Sequence, residues 1–274
     1  MDNNSELRRV QLKEMEIMDA FVKVCEEEGL KYFAVGGTLI GVIRHKGFIP
    51  WDDDMDFAMP RKDYDRFLEY ASRKLPERFK ISHFTTEEGV YFYPLKITDT
   101  SVKVTEQRLE GRGDSSCLSV DVFPIDGFPD GAPGRLIYKF RYYWRRMMIG
   151  FCNVDILRQD VKRSLPEKML IGFARTFKLN KRMDLKKQLM KYDKFFKSTK
   201  DRDCRLIGDI SGRYGFREFV DKEIFGEGIT MQFEDRMIRV PSHPEEYLTC
   251  IYGDFMTLPP EEKRQASHIK ILES

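Results

Sequence analysis

The polar and apolar positions at the start of the chain repeat with the period of an α-helix. Between residues 6 and 28, five apolar residues recur at intervals of three or four: Leu12, Met15, Met18, Val22 and Cys25. This spacing predicts one apolar face on an amphipathic helix, and Gly29 follows where helices commonly end. We expect that face to pack on the rest of the domain, and partner binding is the weaker interpretation.

Short apolar runs separated by turn residues follow, and they predict strands that alternate with helices. Strands are predicted at 32–35, 54–59, 79–84, 91–97, 102–105 and 118–123, and helices at 38–44, 61–74, 135–146, within 161–200 and at 245–252. Such alternation is typical of an α/β fold.

A Gly-Gly turn stands between the predicted strand 32–35 and the predicted helix 38–44. Because Gly36 and Gly37 carry no side chain, their backbone amides can approach a phosphate closely. The start of the following helix adds unpaired N–H groups and the positive end of its dipole. Gly36, Gly37 and Thr38 are therefore candidates for holding phosphate, although a Gly-Gly pair alone more often marks only a tight turn.

A carboxylate pair follows on the predicted strand 54–59. Alternate residues of a strand share a face, so Asp54 and Asp56 should point the same way while Met55 and Phe57 enter the core. Proteins commonly hold Mg²⁺ with one or two carboxylates and the substrate's phosphates. An Asp-rich run after a proline is often only a solvated turn or helix cap. Next to the glycine turn, however, it favours metal-assisted phosphoryl or nucleotidyl transfer.

The residues around these two motifs resemble the signature of the LicD family. The resemblance rests on Gly36-Gly37-Thr38 and on the run Arg-His-Lys-Gly-Phe-Ile-Pro-Trp-Asp-Asp-Asp-Met-Asp at 44–56, with a second match at 244–264. The family belongs to the nucleotidyltransferase-fold superfamily, which takes a third carboxylate from a later strand. Asp121 fits that position, because a lone charge between apolar neighbours is costly unless it is paired or metal-bound. The alternative is a buried aspartate that caps a loop.

The resemblance implies a nucleotidyltransferase-type fold of the α/β (α+β) class, in which helices flank a small mixed sheet. Prolines and glycines accumulate at 124–134 and change the composition of the chain there. We therefore predict a catalytic core at 1–125, a helical insertion at 126–205 and a C-terminal segment at 206–274 that packs back on the core.

The resemblance also implies an activity. LicD-like proteins are similar to transferases that move phosphocholine from CDP-choline, or a related phospho-alcohol from another CDP-alcohol donor, to a glycan hydroxyl in a cell-surface polysaccharide or teichoic acid. The acceptor is then a glycan or a lipid-linked glycan. By this resemblance Asp54, Asp56 and Asp121 are the catalytic and metal-binding residues for Mg²⁺ (or Mn²⁺), and Asp121 accepts the proton of the acceptor hydroxyl. The glycine turn would hold the diphosphate.

Three cations are further candidates for substrate binding. Arg44 and Lys46 lie between the glycine helix and the aspartates, where they could neutralise the diphosphate or the CMP leaving group. Cations at a helix C-terminus also serve as ordinary caps. Lys96, within a predicted strand, could reach the site or lie at a solvated edge.

Other activities stay open on the sequence alone. The same residues would serve a nucleotidyltransferase that moves a nucleotide from an NTP to a small molecule or glycan and releases pyrophosphate instead of CMP. A catalytically silent nucleotide-binding protein is the alternative of another class. A nucleic-acid partner is not expected, because the net charge is only +2.

The segment 135–146 is dense in aromatic residues and cations. Our first interpretation is that it forms the core and rim of a helical subdomain. Two others stay open: contact with an anionic membrane surface, and a cation–π cage for choline that includes Tyr142 or Trp144.

Cysteines and the chain's N-terminus bear on localisation. The five scattered cysteines form no C-x-x-C pair and indicate free thiols rather than disulfides or a zinc site. The first residues lack the pattern of a signal peptide, and the longest apolar run, 34–43, is about half of a membrane span. The sequence therefore predicts a cytoplasmic protein, with the inner face of the membrane as a location compatible with contact through 135–146.

Overall fold

The computed structural model describes residues 3–70, 73–87, 93–106, 116–155, 164–199, 202–264 and 269–272. Its helices are α1 (Asn3–Glu28), α2 (Gly36–His45), α3 (Arg61–Tyr70), α4 (Ala132–Cys152), α5 (Leu165–Thr176), α6 (Leu179–Arg182), α7 (Leu185–Phe196), α8 (Lys222–Phe225) and α9 (Pro244–Tyr252). Its strands are β1 (Phe33–Ala34), β2 (Asp56–Pro60), β3 (Phe79–Ser82), β4 (Leu95–Glu106), β5 (Ser116–Phe128), β6 (Leu206–Gly208), β7 (Val220–Asp221), β8 (Ile229–Phe233), β9 (Arg236–Val240) and β10 (Ile269–Ile271). The predicted alternation of helices and strands is confirmed.

One mixed sheet organises these elements. Its strands follow the order β1-β2-β5-β4-β10, with β3 also paired to β4 and β6 to β5. β2 and β5 run parallel, whereas the β1–β2 and β4–β5 pairs are antiparallel. The predicted α/β fold, with a mixed sheet flanked by helices, is therefore confirmed. β5 pairs with three other strands, so residues from distant parts of the sequence meet along it.

α1 covers this sheet with its apolar face. Phe21 is fully buried, and its ring centroid lies 5.3 Å from that of Tyr32 and 5.1 Å from those of Phe57 and Phe67. Such tilted and edge-on ring contacts add to the free energy gained by removing the rings from water. The predicted helix over 6–28 is confirmed, and its start extends to Asn3.

The prediction that Leu12 belongs to the buried face of α1 is wrong, because this side chain is 46% exposed. Val10, Ile17 and Phe21 are buried instead, and Glu14 lies among them. With 3.6 residues per turn, Leu12 lies about 160° around the helix from Glu14. The spacing of three and four residues therefore includes one apolar residue, Leu12, that faces solvent.

The two strands predicted at 91–97 and 102–105 form one strand in the structure. β4 is continuous, and its register against β5 shifts between Thr98 and Lys103. At this step the Asp99 side chain accepts hydrogen bonds from the amide and hydroxyl of Ser101, at 2.9 and 2.6 Å. Such local bonds compete with a regular ladder. Residues 91 and 92 lie outside the described part of the chain.

A second, smaller apolar cluster lies where α4 and α7 pack together. Its buried members are Phe128, Tyr138, Tyr142, Tyr192, Phe195, Phe196 and Ile210. The core interpretation of 135–146 thus holds for the inner face of α4. The Tyr142 hydroxyl donates to the Ile210 carbonyl at 3.2 Å, and the Arg146 guanidinium already lies over the ring at 5.6 Å. Tyr142 therefore offers no open ring face for a choline cage. The domain boundaries at 125 and 205 stay predictions.

A buried charged cluster ties the sheet to α7. Arg61, which follows β2 directly, is 3% exposed and donates to both carboxylate oxygens of Asp126 on β5, at 2.8 and 2.5 Å. It also donates to Asp193 of α7 at 3.0 Å and to the Tyr93 hydroxyl at 2.8 Å. Planar, two-pronged pairing of this kind is the strongest form of the arginine–carboxylate contact.

Candidate functional site

Three neighbouring strands bring two carboxylates and an ammonium group into one row. Asp56 stands opposite Asp121 in the parallel pair β2–β5, and Lys96 stands opposite Asp121 in the antiparallel pair β4–β5. The amide of Asp121 donates to the Met55 carbonyl at 3.0 Å and holds this register. Residues opposite one another on adjacent strands share a face of the sheet. Three residues that the sequence analysis singled out are thus brought together.

Lys96 and Asp121 form an ion pair across β4 and β5. Nζ of Lys96 lies 2.5 Å from Oδ1 of Asp121, and the two side chains are 32% and 26% exposed. β4 is flanked by other strands on both sides, so Lys96 does not lie at an edge of the sheet. It carries a positive charge into the row of carboxylates.

The glycine turn lies directly against these carboxylates. α2 begins at Gly36, whose φ of +59° is strained for any residue with a side chain. A Cβ at Gly36 would lie 2.6 Å from Oδ2 of Asp56, and one at Gly37 would lie 2.6 Å from Oδ2 of Asp52. Val35, which precedes α2, has no polar side chain to cap the helix, so the N–H groups and positive dipole end of α2 lie beside the carboxylates. The two glycines therefore form one wall of the site.

Thr38 supports the backbone of Asp56. The threonine is buried, and its Oγ1 accepts a hydrogen bond from the Asp56 amide at 2.8 Å. The Asp56 carbonyl accepts another from the Val35 amide at 3.1 Å. These bonds fix the start of β2 against the start of α2. Thr38 thus helps to position a carboxylate, and its contact with phosphate stays a prediction.

The strand predicted at 54–59 begins two residues later than expected. β2 starts at Asp56, and Asp54 lies in the irregular segment before it. β1 ends at Ala34, just before the chain enters α2, so within the described ranges β2 has no antiparallel partner beyond this point. Met55 and Phe57 are fully buried, as the alternation predicted, and Asp54 is exposed.

The crowded aspartates raise one another's pKa. Desolvation, followed by the charges of Asp54 and Asp53, raises the pKa of Asp52 to about 8. Desolvation also comes first for Asp54 and Asp56, whose pKa values are raised further by neighbouring carboxylates that include Asp121. Solvent still reaches Asp52, Asp54 and Asp56, so the desolvation reflects a concave site that remains open.

Glu14, which the sequence analysis did not single out, closes the back of this cluster. It is 0% exposed, and neither of its oxygens has a hydrogen-bond partner among the described residues. Desolvation raises its pKa well above the ordinary value, and the charges of the nearby aspartates, Asp54 first, raise it further. The available signal was an acid within an apolar helical stripe, four residues after Val10 and four before Met18.

Polar residues of α1 also hold the segment that precedes β2. Nε2 of Gln11, which is buried, donates to the Asp52 carbonyl at 3.0 Å. Arg8 pairs with Glu234 at 2.8 Å, and Glu234 accepts the amide of Phe48 at 3.3 Å. The position of the aspartates thus depends on a helix that lies outside the glycine and aspartate motifs.

The donor chemistry of the cluster fits a hard divalent cation. Within the part of the chain that the structure describes, no three His, Cys, Asp or Glu side chains already form a metal-binding group. What fits is the negative charge that the cluster gains when it loses its protons: among the described residues Glu14 has no hydrogen-bond partner, and the aspartates repel one another. A cation bound through carboxylate oxygens would neutralise that charge. Asp54, Asp56 and Asp121 as its ligands stay a prediction.

The two cations predicted at the end of α2 lie in different places. Arg44 donates to the Phe255 carbonyl at 3.0 Å, and its pKa is lowered by desolvation and then by the charge of Arg264, against the effect of Asp52. Arg264 in turn lies over the Trp51 ring at 5.7 Å. Arg44 and Arg264 therefore form a positive rim near Asp52.

Lys46 lies apart from the carboxylates. It is exposed, has a φ of +54°, and ends α2. Its carbonyl accepts the Glu234 amide at 2.7 Å. Because α2 has ten residues, Lys46 stands about 15 Å along the helix axis from Gly36. The structure thus brings Lys96 and Arg44 toward the aspartates but leaves Lys46 at the distant end of the helix.

Without divalent cations, we expect the protein to lose stability as the pH rises. Asp52 has a folded-state pKa of about 8, above its unfolded value of about 3.9. Between about pH 5 and pH 7 the folded state thus keeps a proton that the unfolded state has released, and the free energy of unfolding falls by up to about 1.4 kcal/mol per pH unit. Urea unfolding in EDTA measures this slope. Asp52→Asn should flatten it, and an unchanged slope would contradict the assignment.

Glu14→Gln should have opposite effects on stability and on cation binding. It keeps the side chain's size and removes the need for this buried acid to take up a proton when the chain folds. We expect the free energy of unfolding in EDTA to rise by on the order of 1 kcal/mol, and calorimetric titration to show weaker Mn²⁺ binding. Glu26→Gln, on the exposed side of the same helix, should change neither quantity. A destabilised Glu14→Gln would instead mean that Glu14 makes a supporting contact.

Comparison with known proteins shows which family has a sequence like that of this site. The family model described as LicD/FKTN/FKRP, nucleotidyltransferase domain, matches residues 29–128. This range contains β1 to β5, and with them the glycine turn, the aspartates and Lys96.

One curated relative extends the match over nearly the whole chain. The chain is 32% identical over 269 residues to the lipopolysaccharide cholinephosphotransferase LicD of Haemophilus influenzae, covering 96% of each chain. An uncharacterized protein of Rickettsia typhi is 33% identical over 57 residues, which are 21% of this chain and 18% of that protein. An uncharacterized protein of Rickettsia prowazekii is 43% identical over 37 residues, 14% of each. Since the Haemophilus protein matches nearly from end to end, this chain belongs to the LicD family, which confirms the resemblance found in its motifs.

Proposed function

We propose that this protein transfers phosphocholine, or a related phospho-alcohol, from a CDP-linked donor to a hydroxyl group of a cell-surface glycan. The observation that carries the proposal is the row of Asp56, Asp121 and Lys96 beside the glycine start of α2. It is supported by the name of the Haemophilus relative, a lipopolysaccharide cholinephosphotransferase. Lipopolysaccharide is therefore the first acceptor to test, and teichoic acid the second.

A divalent cation, Mg²⁺ or Mn²⁺, is part of this proposal. Asp54, Asp56 and Asp121 are the residues that would hold it, with Asp52 and Glu14 adding negative charge around them. When bound, the cation neutralises charge on the diphosphate and polarises its phosphoryl oxygens.

The transfer itself exchanges one phosphorus–oxygen bond for another. The acceptor oxygen bonds to the phosphorus that carries choline, and the bond from that phosphorus to the bridging oxygen breaks, so that CMP leaves with the bridging oxygen and its electron pair. In our proposal Asp121 accepts the proton of the acceptor hydroxyl. Neutralising Asp121 weakens its ion pair with Lys96. The Lys96 charge then becomes available to the phosphoryl oxygens.

A different part of the site would bind the negatively charged leaving group. Arg44 and Arg264 form the positive rim near Asp52, and we assign them to the CMP phosphate. The N–H groups at the start of α2 would bind the diphosphate oxygens between this rim and the row.

Product analysis tests the proposal. The protein is incubated with Mg²⁺, a lipopolysaccharide acceptor and, in turn, CDP-choline, CDP-ribitol, CDP-glycerol, CTP or ATP. CMP release from one CDP-alcohol, with the phospho-alcohol recovered on the acceptor, supports the proposal and identifies the donor. A parallel reaction with a teichoic acid extract separates the two acceptors.

Two other results would replace the proposal. Pyrophosphate released from CTP or ATP would make the protein a nucleotidyltransferase, since the same carboxylates suit both attacks. Nucleotide binding that is unaffected by EDTA, without turnover on either acceptor, would favour a catalytically silent nucleotide-binding protein.

A further inference from the structure

The outer face of α4 exposes large apolar side chains. Five of them lie on one side of the helix: Leu136, Ile137, Phe140, Tyr143 and Trp144. Leu136 is 71% exposed and Phe140 68%, and the rings of Phe140 and Trp144 lie parallel at 6.5 Å. Contiguous exposed apolar side chains of this kind mark contact surfaces in folded proteins.

The charge of α4 is entirely positive. The helix contains five Arg or Lys residues and no Asp or Glu. Tyr138 and Tyr142 point into the core on the opposite side. Arg141 and Arg145 flank the exposed aromatic side chains and line a shallow groove with Phe140 and Trp144.

α5 also exposes large apolar side chains. Of its twelve residues only Ala174 is buried. Four large apolar residues of α5 and one directly after it recur at helical spacing and are exposed: Leu165, Met169, Leu170, Phe173 and Phe177. The rings of Phe173 and Phe177 contact each other at 4.6 Å. Among the residues that the structure describes, none covers the exposed apolar faces of these two helices.

We propose that the exposed faces of α4 and α5 form a docking surface for an anionic lipid bilayer. Among the described residues no helix is long and apolar enough to cross a membrane. A helix with an aromatic face between flanking cations lies in the interface, with its rings at the acyl boundary and its cations at the phosphates. This surface lies beyond the proposed function and does not depend on it.

Charge decides between a bilayer and a second copy of this chain. Self-association through the same face would bring Arg141 and Arg145, which line the groove, close to the same two residues of the second copy, and like charges oppose this. An anionic lipid surface compensates them instead.

Flotation with lipid vesicles tests the surface. The full-length protein should bind vesicles of phosphatidylglycerol and phosphatidylcholine in equal parts, and should bind pure phosphatidylcholine at least about tenfold more weakly. The variant Phe140→Ser/Trp144→Ser/Phe173→Ser should lose at least about tenfold in vesicle partitioning. All three residues are exposed, so the fold should be retained, which circular dichroism checks.

A matched control replaces exposed apolar residues elsewhere. Ile229→Ser/Met237→Ser/Met256→Ser changes side chains of similar exposure and should bind vesicles as the wild type does. The proposal is overturned if the wild type ignores anionic vesicles, or if both triple variants bind alike. Light scattering would distinguish a second copy as the partner. If the wild type does not bind vesicles but forms a dimer that only the α4–α5 variant abolishes, the surface binds a second copy of the chain.

Discussion

Asp56→Asn should abolish turnover while the fold is retained. Asparagine has nearly the same shape, and the backbone amide still donates to Thr38, as it does at 2.8 Å in this chain. The change removes the charge that stands opposite Asp121 and beside Gly36. Outer-shell groups of metal sites already contribute 10- to 100-fold, so loss of a carboxylate that we propose as a metal ligand should lower kcat by more than about 100-fold. CMP release from CDP-choline at saturating Mg²⁺ measures this.

The matched control for this variant is Asp235→Asn. Its carboxylate is 77% exposed in the turn between β8 and β9, and the substitution should leave kcat unchanged. Thermal unfolding of both variants reports on the fold. If Asp56→Asn turned over as fast as the wild type, the row of Asp56, Asp121 and Lys96 could not be the catalytic site that we propose.

Arg61→Met should be the most destabilising single change considered. It leaves Asp126 and Asp193 buried without the guanidinium that now bonds both. Removing one partner of a buried ion pair costs about 3–5 kcal/mol, because the remaining charge stays desolvated. Urea unfolding measures the free energy difference. Since Asp126 lies on the same strand as Asp121, we also expect weaker activity in the folded fraction.

Arg66→Met serves as the comparison, because it lies on the same helix. The Arg66 side chain is 51% exposed and pairs with Asp63 at 3.6 Å. Surface pairs of this kind contribute about 0–1 kcal/mol. If Arg61→Met were no more destabilising than Arg66→Met, the ion pairs of Arg61 would not contribute to the stability of the fold. The contact between the sheet and α7 would then depend on apolar packing alone.

Features whose information is local could be predicted from the sequence. The helical spacing of apolar residues predicted α1, and the alternation around Asp56 predicted that Met55 and Phe57 are buried. Asp121 was found because a charge inside an apolar strand needs a partner, and the structure supplies Lys96 as that partner. The family resemblance connected Asp56 with Asp121, which no local pattern could do.

Features that depend on distant neighbours could not be predicted in this way. Asp54 precedes the strand because β1 ends at Ala34. The residues next to Asp54 in the sequence give no information about where β1 ends. Glu14 has the sequence context of a surface acid until the orientation of α1 over the aspartates is known. Leu12 fits the helical period but lies on the solvent-exposed face of α1 and not on the face that packs against the sheet. In each case tertiary packing, and not local propensity, decided the outcome.

The irregular step in β4 separates two stretches of the strand that can change length independently. Residues 95–98 pair one by one with β5 up to Asp121 and Val122. An inserted residue there would turn Lys96 to the opposite face of the sheet, because side chains alternate with a period of two. Beyond the shift, Lys103 and Val104 pair with Cys117 and Ser116 in a new register. This far arm of the sheet is therefore where evolution or an engineer can lengthen the chain without rebuilding the site.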